Sequence, residues 1–243
     1  MRIDVAVTVE AVVPAHLAGE TALVVDVLRA STTIVTALAN GAVAIEPVTD
    51  TAEARRRLAA HHGNGVILAG ERRGNPVPGF HLGNSPLEMT SARVGGQTIV
   101  FTTSNGTRAL LACRAAAAVG VAGLVNLTAA ARWAAASPRD VTVVCSGERG
   151  ARSLEDHVCA GLLVEGIARR APGATLSEAA QAAMLVAADY TRDVRRLADD
   201  SAWARHLRRS GRAGDVRACL RLDVSSLVPL FLSDVDKVVA GHG

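Results

Sequence analysis

Lysine is almost missing from this chain. Lys237 is the single one, and the rest of the 26 Lys and Arg residues are arginine. A Walker-type phosphate loop needs a lysine after its glycines and is therefore excluded. Schiff-base catalysis is disfavoured too, since Lys237 is expected at a frayed C-terminus. Aromatic residues are only 2% of the 243 positions, so Ala, Val and Leu must fill the core. The 49% apolar content is enough for one large domain. Among the four cysteines (Cys113, Cys145, Cys159 and Cys219) there is no C-x-x-C pair, and each lies among apolar or small residues. Buried reduced thiols and a cytoplasmic location are expected. No H-E-x-x-H or Cys/His spacing suggests zinc. A net charge of +3 without a long basic run gives no case for nucleic acid. The longest apolar run, Ala115 to Val125, falls far short of the ~20 residues of a membrane helix. Met1-Arg2-Ile3-Asp4 carries an acid where a signal peptide has its apolar core.

What is present is an alternation of strand and helix patterns. Strands are expected at Ile3–Val9, Ala22–Val25, Val43–Val48, Val66–Ala69, Thr98–Phe101, Val119–Val121 and Val141–Cys145. Helices are expected at Ser31–Asn40, Thr51–Ala60 behind an Asp50 cap, Thr107–Ala117, Thr128–Ala136 and from Ser153 to about Arg169. His61 and His62 close the second of these. Ser85-Pro86-Leu87-Glu88 has the form of a helix start. Beyond Pro172 strands nearly vanish, and 175–222 reads as a mainly helical segment. The expectation is one domain, 1–243, of α/β class. It would be a three-layer α/β/α fold with a mostly parallel or mixed sheet and a helical C-terminal segment packed on it. Val228-Pro229-Leu230-Phe231-Leu232 is read as core or as a homodimer interface.

Four polar loops follow predicted strands: Asp26–Thr33, Gly70–Pro86, Thr102–Arg108 and Cys145–Asp156. In parallel α/β sheets, sites form outside the carboxyl ends of strands. Arg29, Arg72, Arg73, Arg108, Arg149 and Arg152 fall in or beside these loops, with Asp26, Glu71, Glu148, Glu155 and Asp156. Arginine next to glycine and hydroxyls suits bidentate binding of phosphate or carboxylate. Acids among those bases call for a divalent cation beside the anion, and Mg²⁺ takes one or two carboxylates, waters and phosphate oxygens. Ser31, Ser85 and Ser153 each also read as plain helix caps. The hydroxyl-rich Thr102–Thr107 turn exceeds what one cap requires.

Asp26-Val27-Leu28-Arg29-Ala30-Ser31-Thr32-Thr33, Gly70-Glu71-Arg72, Gly79-Phe80-His81-Leu82-Gly83-Asn84-Ser85-Pro86, Thr103-Ser104-Asn105-Gly106-Thr107 and Ser153-Leu154-Glu155-Asp156 resemble, in order, the motif set of the 2-phosphosulfolactate phosphatase family. The likeness runs from about Ala22 to Leu230. His81 stands where the family often has an acid, and Ser104 where it often has threonine. The resemblance implies a three-layer α/β/α fold and a Mg²⁺-dependent hydrolase. Such an enzyme converts 2-phospho-3-sulfolactate to sulfolactate and phosphate in coenzyme M biosynthesis. Two alternatives stay open: a phosphatase of another small phosphorylated hydroxy acid, and a non-catalytic binder of anionic metabolites.

On that reading Asp26, Arg29 and Glu71 are the catalytic candidates. Asp26 with Glu71 or Asp156 would hold Mg²⁺. Ser31, Thr32, Thr33, Arg72, Asn84, Ser85, Thr103, Asn105, Gly106, Thr107 and Arg149 would contact a small anionic substrate. An aspartyl nucleophile of the D-x-D kind is disfavoured because the second position is Leu28. A cysteine nucleophile at Cys145 would need arginine at position 151, which is Ala151. Attack by water is therefore expected.

Overall fold

The computed structural model describes residues 1–61 and 65–241; His62 lies outside them. Among the described residues, eleven strands form one mixed sheet. They are β1 (Arg2–Ala6), β2 (Thr21–Val25), β3 (Ala44–Pro47), β4 (Val66–Arg72), β5 (Asn75–Pro76), β6 (Thr98–Thr102), β7 (Ala118–Ala122), β8 (Val141–Cys145), β9 (Thr175–Leu176), β10 (Val228–Leu232) and β11 (Lys237–Gly241). Their order is β5-β4-β6-β3-β11-β10-β7-β2-β8-β1-β9. Two parallel sets, β4-β6-β3 and β7-β2-β8-β1-β9, flank an antiparallel β10–β11 hairpin. Strands β2 and β8 are buried along their whole length, which explains their unbroken apolar runs.

That central hairpin shows that strands continue after Pro172. Of the stretch left open as core or interface, it buries Val228 and Phe231 in the core and leaves Leu232 exposed. Lys237 is not frayed: it opens β11 and its Nζ lies 3.2 Å from the buried Glu46 carboxylate of β3. A short apolar stretch followed by a polar turn gives little sequence signal for a hairpin completed by long-range pairing.

Three antiparallel steps separate the two parallel sets along the ladder. In a flat sheet their carboxyl ends would lie at opposite rims. Loops leaving β2, β4, β6 and β8 nonetheless line one cavity, so the sheet must twist and coil strongly. The helix Ala30–Ala39 is the element it wraps. It packs on β3, β7, β10 and β11 and buries residues around almost its whole circumference. Ile34, Ala37 and Leu38 share one core cluster with Ile45, Phe101, Val121 and Phe231.

On the other face, helices Leu127–Ala135, Leu154–Ala168 and Glu178–Ala188 close a second cluster built from Ala, Val and Leu. Small side chains let backbones approach where aromatics are scarce. A Cβ on Gly161 would lie 2.1 Å from the Ala183 carbonyl oxygen, so glycine sets the contact between the last two of these helices.

Other boundaries shift for local reasons. β1 ends at Ala6, and Val9–Ala11 turns as a 3-10 helix closed by Val12 N–H on the Val9 carbonyl (3.2 Å). Ser85–Glu88 yields a single 3-10 turn over Pro86–Glu88. The Ser85 hydroxyl donates to Asp215 Oδ1 (2.6 Å) and Glu88 Oε2 accepts from Gly83 N–H (2.8 Å), so neither supports a helix. Asp50 and Ser153 do cap their helices. Among the described residues no helix is long and apolar enough to cross a membrane.

Candidate active site

The carboxyl ends of β2, β4, β6 and β8, the first turn of the helix Leu154–Ala168 and Trp203 of the helix Ala202–Arg209 enclose a cavity of about 620 Å³. Asp26 and Arg29 come from the turn after β2, Glu71 and Arg72 from the end of β4, Thr103 to Asn105 from the turn after β6, and Ser146 to Arg149 from the turn after β8. Glu155 and Asp156 reach it from the first turn of Leu154–Ala168. Of the residues expected to form the site, Asp26, Arg29, Glu71, Arg72, Asn84, Thr103, Asn105, Arg149 and Asp156 are thus gathered at one place.

The remaining hydroxyls are not on this lining. Ser31 accepts from Asp26 N–H (2.9 Å), Thr32 donates to the Val27 carbonyl (3.3 Å), and Thr33 donates to the Asn84 carbonyl (3.4 Å). Thr107 Oγ accepts from Thr103 N–H (3.2 Å) and donates to the Thr103 carbonyl (3.2 Å). Ser85 faces Asp215. Ser31, Thr32 and Thr107 thus brace their own turns, and Thr33 and Ser85 tie separate segments together, instead of facing the cavity. Gly106 contributes through what it lacks: a Cβ there would lie 2.6 Å from Asp26 Oδ2 and 2.5 Å from the Ala30 Cβ. His81 is exposed, with Nδ1 accepting from Leu68 N–H (2.9 Å).

Two carboxylates act as clamps. Asp156 Oδ1 accepts from Val27 N–H (2.8 Å), while Oδ2 accepts from the Ser146 hydroxyl (3.0 Å) and Gly147 N–H (3.2 Å). One side chain therefore ties the turn after β2 to the turn after β8. Glu71 does the same for the other half of the sheet. Its Oε1 accepts from Ser104 N–H (2.7 Å), and Oε2 from Gly74 N–H (2.6 Å) and the Ser104 hydroxyl (3.2 Å). The metal-ligand roles expected for Glu71 and Asp156 meet this competition, because N–H and O–H donors already engage both oxygens of each.

Asp26 is in a different position. Burial raises its carboxyl to about 7; the Glu71 and Glu155 charges add to the rise, and Ala30 N–H (3.1 Å) and the Ser146 hydroxyl partly oppose it. Burial also raises Glu155; its own N–H and the Ser201 and Ser153 hydroxyls oppose the rise, and the Glu148 charge adds a little to it. Asp156 is pushed well up by burial, then by the Asp26 and Glu155 charges. Half-buried Glu148 is raised by burial, with Arg149 and the Asn105 amide (3.0 Å from Oε2) opposing. Crowded carboxylates with raised pKa values are a functional-site signature. Cys145, behind them, is pushed well above a normal thiol by burial and Asp156, so it is no nucleophile.

Positive charge surrounds the mouth. Arg73 and Arg149 are exposed, and both adopt left-handed backbone (φ 54° and 53°) at loop tips. Arg72 donates to the Thr102 hydroxyl (2.7 Å) and the Glu71 carbonyl (2.7 Å) at the side. Asn84 is 5% exposed and its Oδ1 has no partner among the described residues; as an acceptor it suits a water or a cation, and the amide N–H group beside it an anion. Trp203, which no sequence pattern flagged, completes the wall. Its Nε1–H donates to the Leu28 carbonyl (2.9 Å).

The family model for 2-phosphosulpholactate phosphatase matches residues 7–234. The chain belongs to that family. Similar curated proteins include one from Symbiobacterium thermophilum, 39% identical over 216 residues, covering 89% of this chain and 93% of the relative. Another, from Gloeobacter violaceus, is 41% identical over 209 residues, with 86% of each chain covered. A third, from Thermotoga maritima, is 36% identical over 215 residues, covering 88% and 90%. All three carry the name "Probable 2-phosphosulfolactate phosphatase". The match covers every residue that lines the cavity, from Asp26 to Trp203.

Proposed function

We propose that this member of the 2-phosphosulfolactate phosphatase family hydrolyses 2-phospho-3-sulfolactate to sulfolactate and phosphate with the help of Mg²⁺. The observation that carries the reading is the meeting of five carboxylates (Asp26, Glu71, Glu148, Glu155, Asp156) and four arginines (Arg29, Arg72, Arg73, Arg149) on one cavity. Acids alone would select a cation, and arginines alone would select an anion. Both together suit a polyanion with its counter-cation. The relatives' names supply the substrate.

The donor set fits Mg²⁺. The raised carboxyls of Asp26 and Glu155 mark negative charge that the protein itself leaves undercompensated. No group of three or more Asp, Glu, His or Cys ligands converges among the described residues. Mg²⁺ does not need one, since it keeps several waters and takes one or two carboxylates. We assign Asp26 and Glu155 as those carboxylates. When bound, the ion supplies positive charge against the phosphoryl oxygens.

The chain's own residues do the rest. Arg72, Arg73 and Arg149 draw in the anionic groups from the mouth, and Arg29 meets one of them at the inner wall. The Asn84 amide N–H group donates to an oxygen of the bound substrate and orients it. Water attacks phosphorus and its proton passes to an oxygen of the released phosphate, while the leaving alkoxide of the hydroxy acid receives a proton from a side chain that solvent then reprotonates. Glu148 is our choice of donor, since burial lifts its carboxyl toward the range where a general acid works. The buried free thiols agree with a cytoplasmic location.

Incubation of the purified protein with 2-phospho-3-sulfolactate tests this. Phosphate release that stops with EDTA and returns with Mg²⁺ is expected. Turnover of a different phosphorylated hydroxy acid alone would move the substrate, and tight binding without turnover of either would make the protein a binder.

A further inference from the structure

Arg29 is 4% exposed, yet it lines the main cavity. Its guanidinium has two protein acceptors among the described residues. Nη1 donates to Asp215 Oδ2 (2.5 Å) and Nη2 to the Gly74 carbonyl (3.0 Å). Asp215 is 5% exposed and comes from the helix Ala213–Cys219, nearly two hundred residues along the chain. Its other oxygen accepts from the Ser85 hydroxyl (2.6 Å). It does not line the main cavity, so it reaches the chemistry only through Arg29.

We propose that Asp215 is a positioning residue, holding the Arg29 guanidinium at the cavity wall so that its remaining donors face the bound anion. The C-terminal helical segment is then a working part of the anion site. Charge explains why such a restraint is needed. Arg29 sits beside a cavity lined by Asp26, Glu71 and Asp156. A free guanidinium would move inward and pair with those carboxylates, filling the space meant for substrate and competing with the cation. A buried carboxylate behind the wall, with both oxygens satisfied, draws it the other way.

The same segment fixes the backbone that carries Arg29. Trp203 Nε1–H donates to the Leu28 carbonyl (2.9 Å), and the indole stacks on His206 with ring centroids 4.8 Å apart. Gly74, whose carbonyl accepts from Arg29, packs against that indole: a Cβ there would lie 3.2 Å from Trp203 Cη2. Arg29 is thus restrained from Asp215, Leu28 and Gly74 together, each in contact with C-terminal residues.

The proposal rests on reading Arg29 as an anion ligand of the phosphatase site. Its test therefore uses inorganic phosphate as the probe, titrated calorimetrically into the full chain with Mg²⁺ present. Asp215→Asn should weaken phosphate binding about tenfold or more, the equivalent of one lost charge-assisted contact. Asp215→Glu should recover part of the loss. In an Arg29→Gln background, Asp215→Asn should change phosphate affinity by less than about twofold, as for residues acting through one group. If Asp215→Asn does not fold, Ser85→Ala, which removes only the support of the second oxygen, should weaken phosphate by about threefold on the same reasoning. Phosphate affinity unchanged in the single variant that folds, or additive losses in the double variant, would overturn the proposal. A wild-type protein that binds phosphate but leaves 2-phosphosulfolactate intact would sink the substrate reading alone.

Discussion

Removing the divalent cation should make this protein less stable as pH rises, and the size of the effect follows from Asp26. Its carboxyl lies at about 7 in the folded chain against an ordinary 3.8. Ionising it in the metal-free fold therefore costs about 4 kcal/mol, at about 1.4 kcal/mol per pKa unit. A raised acid contributes stability that is fully present below pH 3.8 and is lost as pH climbs through 7. Between pH 5.5 and 8 the loss from this group alone is about 2 kcal/mol. That corresponds to a fall in Tm of roughly 4–8 °C for a chain of this size. Glu155 and Asp156 act in the same direction. His157, buried and held below its ordinary value, acts oppositely, because its contribution is lost as pH falls. The assay is calorimetric melting in EDTA across that window, for wild type and Asp26→Asn. Wild type should lose stability toward pH 8, the variant should lose much less, and Mg²⁺ should raise the wild-type Tm more at pH 8 than at 5.5. A wild-type Tm that is flat or rises with pH in EDTA, or an identical slope in Asp26→Asn, would refute the reasoning.

Three further outcomes follow from the geometry. Gly106→Ala should cost about 1–3 kcal/mol by overpacking against Ala30, and it should cut turnover by crowding Asp26; melting and phosphate-release assays on one preparation check both. Asp156→Ala strands Val27 N–H, the Ser146 hydroxyl and Gly147 N–H. At about 1–3 kcal/mol per stranded buried donor, a loss of at least roughly 3 kcal/mol should appear as a lowered denaturant midpoint. Glu148→Gln should lower kcat by about 10²–10⁴ if that carboxyl protonates the leaving group, leaving KM within a few-fold, and should remove the alkaline limb of the kcat–pH profile.

The parallel elements were legible because their signals are local. Ala22–Val25 and Val141–Cys145 are short apolar runs bounded by polar turns, and both are fully buried strands. Asp50 and Ser153 announced their helices by capping chemistry, and both accept from the expected third N–H. Parallel pairing accounts for the loops meeting two by two, those after β2 and β8 and those after β4 and β6; the two pairs meet each other only through the coiling of the sheet, which no local signal reveals. What escaped depends on distance along the chain. The β10–β11 hairpin exists through pairing with β7 and β3, which its own residues do not reveal. Ser85 looked like a cap, but Asp215, far along the chain, takes its hydroxyl. Thr32 and Thr33 looked like anion donors, yet nearby carbonyls satisfy them. Trp203 and Asp215 carry no motif, and their place in the site appears only once the C-terminal helices are packed.

The central claim is that one cavity holds a cation and an anion side by side. A crystal structure of the protein soaked with Mn²⁺ and inorganic phosphate tests it most directly, with the metal located by anomalous scattering. The cation should lie on Asp26 and Glu155, with phosphate beside it within reach of Arg29 and the mouth arginines Arg72, Arg73 and Arg149. Metal and phosphate found apart, or a cavity that takes up neither at saturating concentration, would contradict the account.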